Sequence, residues 1–420
     1  MSAALIDWAN LPNELMLRCM EFCLIDKTLK RAMEMRTVNK KFRSIVDMLL
    51  QMRTVVKLPT PVESGYTLQW VLDMISEKCP RLEELTVCIG NGTGEETITD
   101  DHLERFYRLF ENLHTVTLTE TELVSDRGYR ALARLPLRSV DVYVSELASD
   151  QCVVDIASEC AETLETFLVY NGGPDGDRVL VTDRAAAAIS TCSGLTKLHL
   201  YETPVHRASF DEIIRGCTEL TDLYLTQSPG LDWAKLASLQ ALVSLELPIC
   251  QLVDVELNTI VNSCPNLTKL DISENFLLSD YSALAGLPRL RDLSVAWCHL
   301  GDAAFQVIAR SCPRLTHLSV TGNFEKFIGF TGLCRLYQLK VFEARSCKLT
   351  DTQLNAIIGE LKTKKSIKFV RLTGVGATTT YERCVLAKQQ MEAIGCDFDL
   401  EMPPEPEDEE DDEDDDEEDV

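Results

Sequence analysis

Ser311-Cys-Pro-Arg-Leu-Thr-His-Leu-Ser-Val320 decides the architecture. Its apolar positions are Leu315, Leu318 and Val320, and the last two alternate with polar neighbours, as on one face of a short strand. Just upstream, Phe305, Ile308, Ala309 and Cys312 recur at i, i+3, i+4 and i+7, the apolar stripe of a helix. A helix leading through a turn into a strand makes one unit. Alone, such a unit cannot cover its apolar face.

The same cadence runs through most of the chain. First positions fall at Leu82, Leu113, Leu137, Leu164, Leu195, Leu220, Leu242, Leu267, Leu290, Leu315, Leu339 and Ile367, at intervals of 22 to 31 residues. Two further apolar residues follow each, as in Leu195/Leu198/Leu200 and Leu267/Leu270/Ile272. Helix stripes precede many of them, among them Phe210/Ile213/Ile214/Cys217 and Leu257/Ile260/Val261/Cys264. Twelve copies predict stacked strand–turn–helix units sharing one continuous core. From Leu220 onward, helical units alternate with shorter ones such as Tyr281–Pro288, read as a turn or brief 3₁₀ segment.

The 16 cysteines follow this repeat. Cys79, Cys192, Cys217, Cys264 and Cys312 stand three residues before the first leucine, and Cys160 four before. Cys250, Cys298 and Cys347 share a later slot with Asn275 and Asn323, where a side chain satisfies buried backbone groups of the turn. These thiols are expected to pack as small hydrophobes, not to hold a metal. Without a secretory leader a reducing compartment, cytoplasmic or nuclear, is expected. No run of 18 apolar residues is present, so no membrane span is expected.

Ser263-Cys-Pro-Asn-Leu267 and Ser311-Cys-Pro-Arg-Leu315 resemble the signature of cysteine-containing leucine-rich repeats. The resemblance covers roughly residues 66–375. It implies an α/β solenoid of horseshoe form, with parallel strands on the concave face and helices on the convex one.

Residues 5–50 do not follow the repeat. Leu11-Pro-Asn-Glu-Leu15 opens a helix that Asn10 can cap, with Pro12 in its first turn. Leu11, Leu15, Phe22, Val38, Phe42 and Ile45 suffice for a small helical core. The module resembles an F-box, through Leu11 to Leu15 and through Val38, Lys40 or Lys41, Phe42 and Arg43. That resemblance implies docking to the Skp adaptor and cullin of an SCF-type ubiquitin ligase, with Leu11, Pro12, Glu14, Leu15, Phe22, Val38 and Phe42 as the adaptor-binding set. Cys19 and Cys23 depart from the family pattern, which usually has Ile and Leu there. A plain helical cap on the solenoid is the alternative. The expected organisation is a helical module at 5–50, a linker or degenerate first repeat at 51–78, repeats at 79–375, a cap at 376–400 and an acidic tail at 401–420.

Residues flanking the core leucines of each strand face outward. On parallel neighbours about 4.8 Å apart they line up as ladders. Tyr143, Tyr170 and Tyr201 occupy one slot of three successive repeats, and Tyr224 follows one position earlier in the next. Asp141, Lys197, His199 and Asp222 lie beside them. Tyrosine offers a rigid apolar ring and a hydrogen-bonding tip, the profile of a binding hot spot. The expected substrate-binding set is Tyr143, Tyr170, Lys197, His199, Tyr201, Asp222 and Tyr224, with Trp297 further along. The competing reading is that tyrosine merely suits an exposed strand. Two long glycine-containing loops, near 89–96 and 170–177, leave the same rim.

The net charge is −26, and residues 405–419 hold 14 acidic side chains. The remainder is still acidic, which argues against direct nucleic-acid binding. The tail is expected to be disordered, and either solubilises the chain or clamps a basic partner weakly. No catalytic residue, metal or cofactor is expected. The six histidines are scattered, and Gly90-x-Gly-x-Gly94 lacks the following Lys-Ser/Thr of a phosphate loop. The function expected is a non-catalytic substrate receptor of a ubiquitin ligase. The alternatives are an acidic-tailed interaction module outside ubiquitination and, more remotely, an activator of a small GTPase.

Overall fold

The computed structural model describes residues 50–51, 54–58, 68–87, 97–119, 121–171, 180–323, 332–347, 349–364, 366–372 and 379–400. The adaptor-binding set, both long loops except for residues at their edges, and the acidic tail lie outside the described residues. The chain divides into two compact units, 1–250 and 251–420.

The first unit carries β1 (Val55–Leu58), β2 (Glu84–Val87), β3 (Thr115–Leu118), β4 (Ser139–Val144), β5 (Thr166–Asn171), β6 (Lys197–Tyr201), β7 (Asp222–Leu225) and β8 (Ser244–Glu246). Each strand pairs in parallel with the next in chain order. Between them run α-helices Leu68–Lys78, Asp100–Leu109, Asp126–Leu132, Asp150–Glu159, Asp183–Ser190 and Arg207–Gly216, then a 3₁₀ segment at Trp233–Ser238. Register places Leu85, Val116, Val140, Phe167, Leu198, Leu223 and Leu245 in one file, and all are buried. That file is the fourth position of the sequence repeat, so the cadence and the core are the same thing.

The second unit repeats the plan with β9 (Lys269–Asp271), β10 (Asp292–Ser294), β11 (His317–Ser319), β12 (Val341–Glu343), β13 (Phe369–Leu372) and β14 (Asp397–Leu400), again parallel in order. Here α-helices and short 3₁₀ segments at Ser282–Gly286 and Leu333–Arg335 alternate, which accounts for the shorter sequence units. The last strand was not counted in the sequence. Three residues before its buried Phe398 stands Gly395, not leucine, so the template has no first position there.

Two polar ladders join neighbouring repeats. In the first, an aspartate at the start of one helix accepts from the Ser or Thr that opens the next unit's helix or turn. Asp100 serves Ser125, Asp126 serves Ser149, Asp150 serves Thr182, and Asp351 serves Thr380. The oxygen satisfies donors that a helix start leaves open. The second ladder lies in the turn after each strand. Ile249, Glu274, Trp297, Gly322 and Ser346 all have positive φ, and each precedes a buried Cys250, Asn275, Cys298, Asn323 or Cys347. The left-handed residue turns the chain so that the next side chain points inward. That side chain donates to a carbonyl at or just past the end of the strand one repeat back: Cys250 to Leu225, Cys298 to Ile272, Asn323 to Val295, and Cys347 to Val320.

Candidate functional site

The outward positions of β4 to β7 make a continuous aromatic wall in the first unit. Tyr143, Tyr170 and Tyr201 are direct register partners. The Tyr143 and Tyr170 rings stack with centroids 4.5 Å apart and planes 9° apart. Tyr170 and Tyr201 stack at 4.0 Å and 4°. Strands stand about 4.8 Å apart, so the rings lean together to close van der Waals contact. Tyr224 is the register partner of His199, not of Tyr201, yet its ring reaches across to 4.2 Å from Tyr201 at a tilt of 36°.

His199 faces the same side but is 4% exposed, because Tyr201 and Tyr224 close over it at 5.5 and 5.6 Å. Its Nε2 lies 2.9 Å from Asp222 Oδ1 and its Nδ1 2.7 Å from the Tyr201 hydroxyl oxygen. A carboxylate only accepts, so in the neutral ring Nε2 carries the proton and Nδ1 accepts from Tyr201. Lys197 Nζ stands 3.5 Å from the other Asp222 oxygen. Burial alone would raise the Asp222 carboxyl. The hydrogen bond and charge of His199, with the charge of Lys197, outweigh it and hold the group below the usual carboxylate range. Burial pushes the Tyr170 hydroxyl up, and pushes Tyr201 up further with help from Tyr170 and Glu246, so both stay neutral phenols at physiological pH.

His199, Asp222 and Glu246 bring one donor atom each within 4.8 Å of one another. The Asp222 charge is already met by the Nε2 proton and the Lys197 ammonium, so Asp222, His199 and the Tyr201 hydroxyl form an internal hydrogen-bonded network. Their effect on the wall is to fix Tyr201 from beneath.

The Tyr143 end is fixed differently. Tyr129, buried in helix Asp126–Leu132, donates to the Tyr143 carbonyl at 2.5 Å, and the Thr121 hydroxyl donates to the same oxygen. Sequence reasoning did not find Tyr129. A tyrosine inside an apolar helix stripe reads as ordinary core, and only the fold brings its hydroxyl under the wall.

The expected site residues therefore separate. Tyr143, Tyr170, Tyr201 and Tyr224 form the stack, with His199, Asp222 and Lys197 beneath or beside it. Trp297 belongs to the second unit and stands in the turn after β10, not on a strand. Its φ is 54° and its ring covers Gly322. The stack offers neutral rings with hydroxyl rims and a well-exposed end at Tyr143, 40% accessible. Such a surface suits the side chains of another protein.

Comparison with known proteins bears on the fold. No protein-family model and no curated protein matches the chain. Among solved structures, an internalin from Listeria monocytogenes is 19% identical, with 90% of this chain and 96% of that chain covered and a TM-score of 0.48. A chain from the yeast Rad7 and Elc1 complex is 15% identical, with 93% of this chain and 91% of that chain covered and a TM-score of 0.54. Among the described residues no helix is long and apolar enough to cross a membrane. Parallel strands in chain order, a helix or 3₁₀ segment between successive strands, and a buried leucine file in each unit make the fold a leucine-rich-repeat solenoid.

Proposed function

We propose that this chain is a protein-interaction module whose tyrosine wall holds a partner protein, and that it serves as the substrate-recognition subunit of an SCF-type ubiquitin ligase. The observation that carries the first half is the row of four contacting aromatic rings on adjacent strands. A tyrosine chosen only for strand propensity has no need of a second layer to hold it. Here His199, itself held by Asp222, meets the Tyr201 hydroxyl, and Tyr129 and Thr121 hold the strand backbone at the Tyr143 carbonyl. Rings ordered in advance lose little freedom on binding, which is where affinity is gained.

The second half rests on the resemblance of residues 11–15 and 38–43 to an F-box directly before the repeats. The fold is shared with a chain of the yeast Rad7 and Elc1 complex. In this reading the chain does no chemistry. One end docks on the Skp adaptor, the wall holds the substrate, and other subunits transfer ubiquitin. A pull-down of the full chain with purified Skp adaptor tests it, beside a Leu11→Ala/Pro12→Ala variant. Retention by the parent and loss in the variant is expected. No retention of the parent removes the ligase assignment and leaves the wall untouched.

A further inference from the structure

At the exposed end of the stack, β4 presents Asp141 and Tyr143 side by side on the outward face, about 7 Å apart along the strand. Asp141 is half-buried, and among the described residues it makes no hydrogen bond and no ion pair. Its register partners are Thr117 on β3 and Leu168 on β5, neither of which is a cation. Lys197 and His199, which act on it electrostatically, belong to β6, and both are engaged by Asp222. Burial pushes the Asp141 carboxyl above the usual range, against the pull of Lys197 and His199. A partly dehydrated carboxylate without a donor is costly to a folded chain. Every other aspartate of the wall is met: Asp222 has two donors of its own.

Tyr143 supplies the second half. One face of its ring is taken by Tyr170. Among the described residues it makes no other ring contact, and it is the most exposed of the stacked tyrosines. An aromatic face beside an unmatched carboxylate is the arrangement that binds a guanidinium: the plane stacks on the ring and the N–H fork meets the oxygens.

We propose that Asp141 and Tyr143 form a socket for an arginine side chain of the partner protein, so that the partner presents a basic segment to this end of the wall. This rests on the reading of the wall as a binding surface and names the class of its ligand. The acidic balance of the chain favours such a segment as well, and steers it in from solution.

The test uses the full-length chain with the acidic residues of 405–419 changed to Asn and Gln, so that the tail does not compete for basic probes. The probe is a short fluorescein-labelled Gly-Ser-Arg repeat peptide, with a citrulline version that keeps the shape and removes the charge. Fluorescence anisotropy should show binding of the arginine peptide. Asp141→Asn should weaken it about tenfold, the scale of one charge-assisted hydrogen bond. Tyr143→Phe should keep it, Tyr143→Ala should lose it, and citrulline should bind as weakly as Asp141→Asn does to arginine. Asp141→Asn should also melt no lower than the parent, because it removes an unmatched charge. Absent binding of the arginine peptide, equal affinity of parent and Asp141→Asn, equal affinity for citrulline, or a lower melting temperature for Asp141→Asn would each overturn the socket. The wall reading fails separately, if Tyr170→Ala leaves capture of the partner unchanged.

Discussion

Asp254 holds the turn of the following repeat through Ser279: one carboxylate oxygen accepts from the Ser279 backbone N–H at 2.8 Å and the other from its hydroxyl at 2.7 Å. The same oxygen that takes the Ser279 N–H also takes that of Asp280, at 3.0 Å. Asp100, Asp126, Asp150 and Asp351 do the same work, so the ladder ties repeat to repeat along the helical side.

Asp254→Ala should therefore destabilise the chain by about 1–2 kcal/mol, the usual cost of losing a cap. Burial tends to raise the Asp254 carboxyl, but the hydrogen bonds from Asp280 and Ser279 outweigh it and lower the pKa. A lowered folded-state pKa means stability that is present above the unfolded value, about 3.9, and lost as pH falls through the folded one. Urea melts of parent and variant should differ at pH 7 and converge as pH drops below the ordinary carboxylate range. A gap that widens in acid would contradict this.

The turn ladder predicts an order of substitutions at Asn323. Its Oδ1 accepts from the Cys298 and Leu300 N–H groups, and its Nδ2 donates to the Val295 and Val320 carbonyls. Ala leaves all of these buried groups open and should cost about 3 kcal/mol or more. Cys stands in the same slot at 250, 298 and 347, where each thiol reaches back to a strand carbonyl. Asn323→Cys should thus fall between parent and Ala in chemical denaturation. An Asn323→Cys no better than Ala would remove the equivalence.

Gly322 and Trp297 should behave as a coupled pair. Gly322 has φ 73°, and a Cβ there would lie 2.1 Å from the Trp297 ring. Gly322→Ala should cost about 2–3 kcal/mol, part from left-handed backbone and part from overlap with the indole. In Trp297→Ala/Gly322→Ala only the backbone part, about 1 kcal/mol, should remain for the glycine change. A double-mutant cycle with no coupling would show that the ring moves aside freely.

Thiol chemistry separates repeat cysteines from surface ones. Burial pushes the Cys192, Cys217, Cys264, Cys298 and Cys312 thiols up to about 12, and Cys160 and Cys347 up to about 11. Thiolate is the reactive form. In the native chain at pH 8, iodoacetamide should modify exposed Cys334 and spare these seven until denaturant is added. Peptide mapping by mass spectrometry reads the result, and early modification of Cys298 would contradict the buried turn ladder.

Much of this fold was legible because burial repeats. Leu267, Leu270 and Ile272 are inside for the same reason as Leu315, Leu318 and Val320, and a period of two followed by a helical stripe has few other solutions. The tyrosine register was legible too, since equal offsets from the leucine file imply neighbours. What a single unit cannot announce was not. His199 is buried by rings that belong to its own strand and the next, so its exposure depends on two neighbouring side chains at once. The isolation of Asp141 is likewise a property of its neighbours on β3 and β5. Trp297 was grouped with strand residues because the count from Leu293 continues smoothly, but a left-handed φ ends the strand before it. Gly395 hid β14 by removing the anchor of the pattern.

The most direct test of the account is proximity labelling in cells, comparing the full chain with Tyr143→Ala/Tyr170→Ala. This pair removes half the stack and spares Tyr201, which holds His199. The expected result is that a defined set of proteins is labelled by the parent and lost from the variant, while the variant still unfolds cooperatively and adaptor retention stays the same. An identical labelled set from a folded variant would show that the tyrosine wall is not where this protein meets its partner.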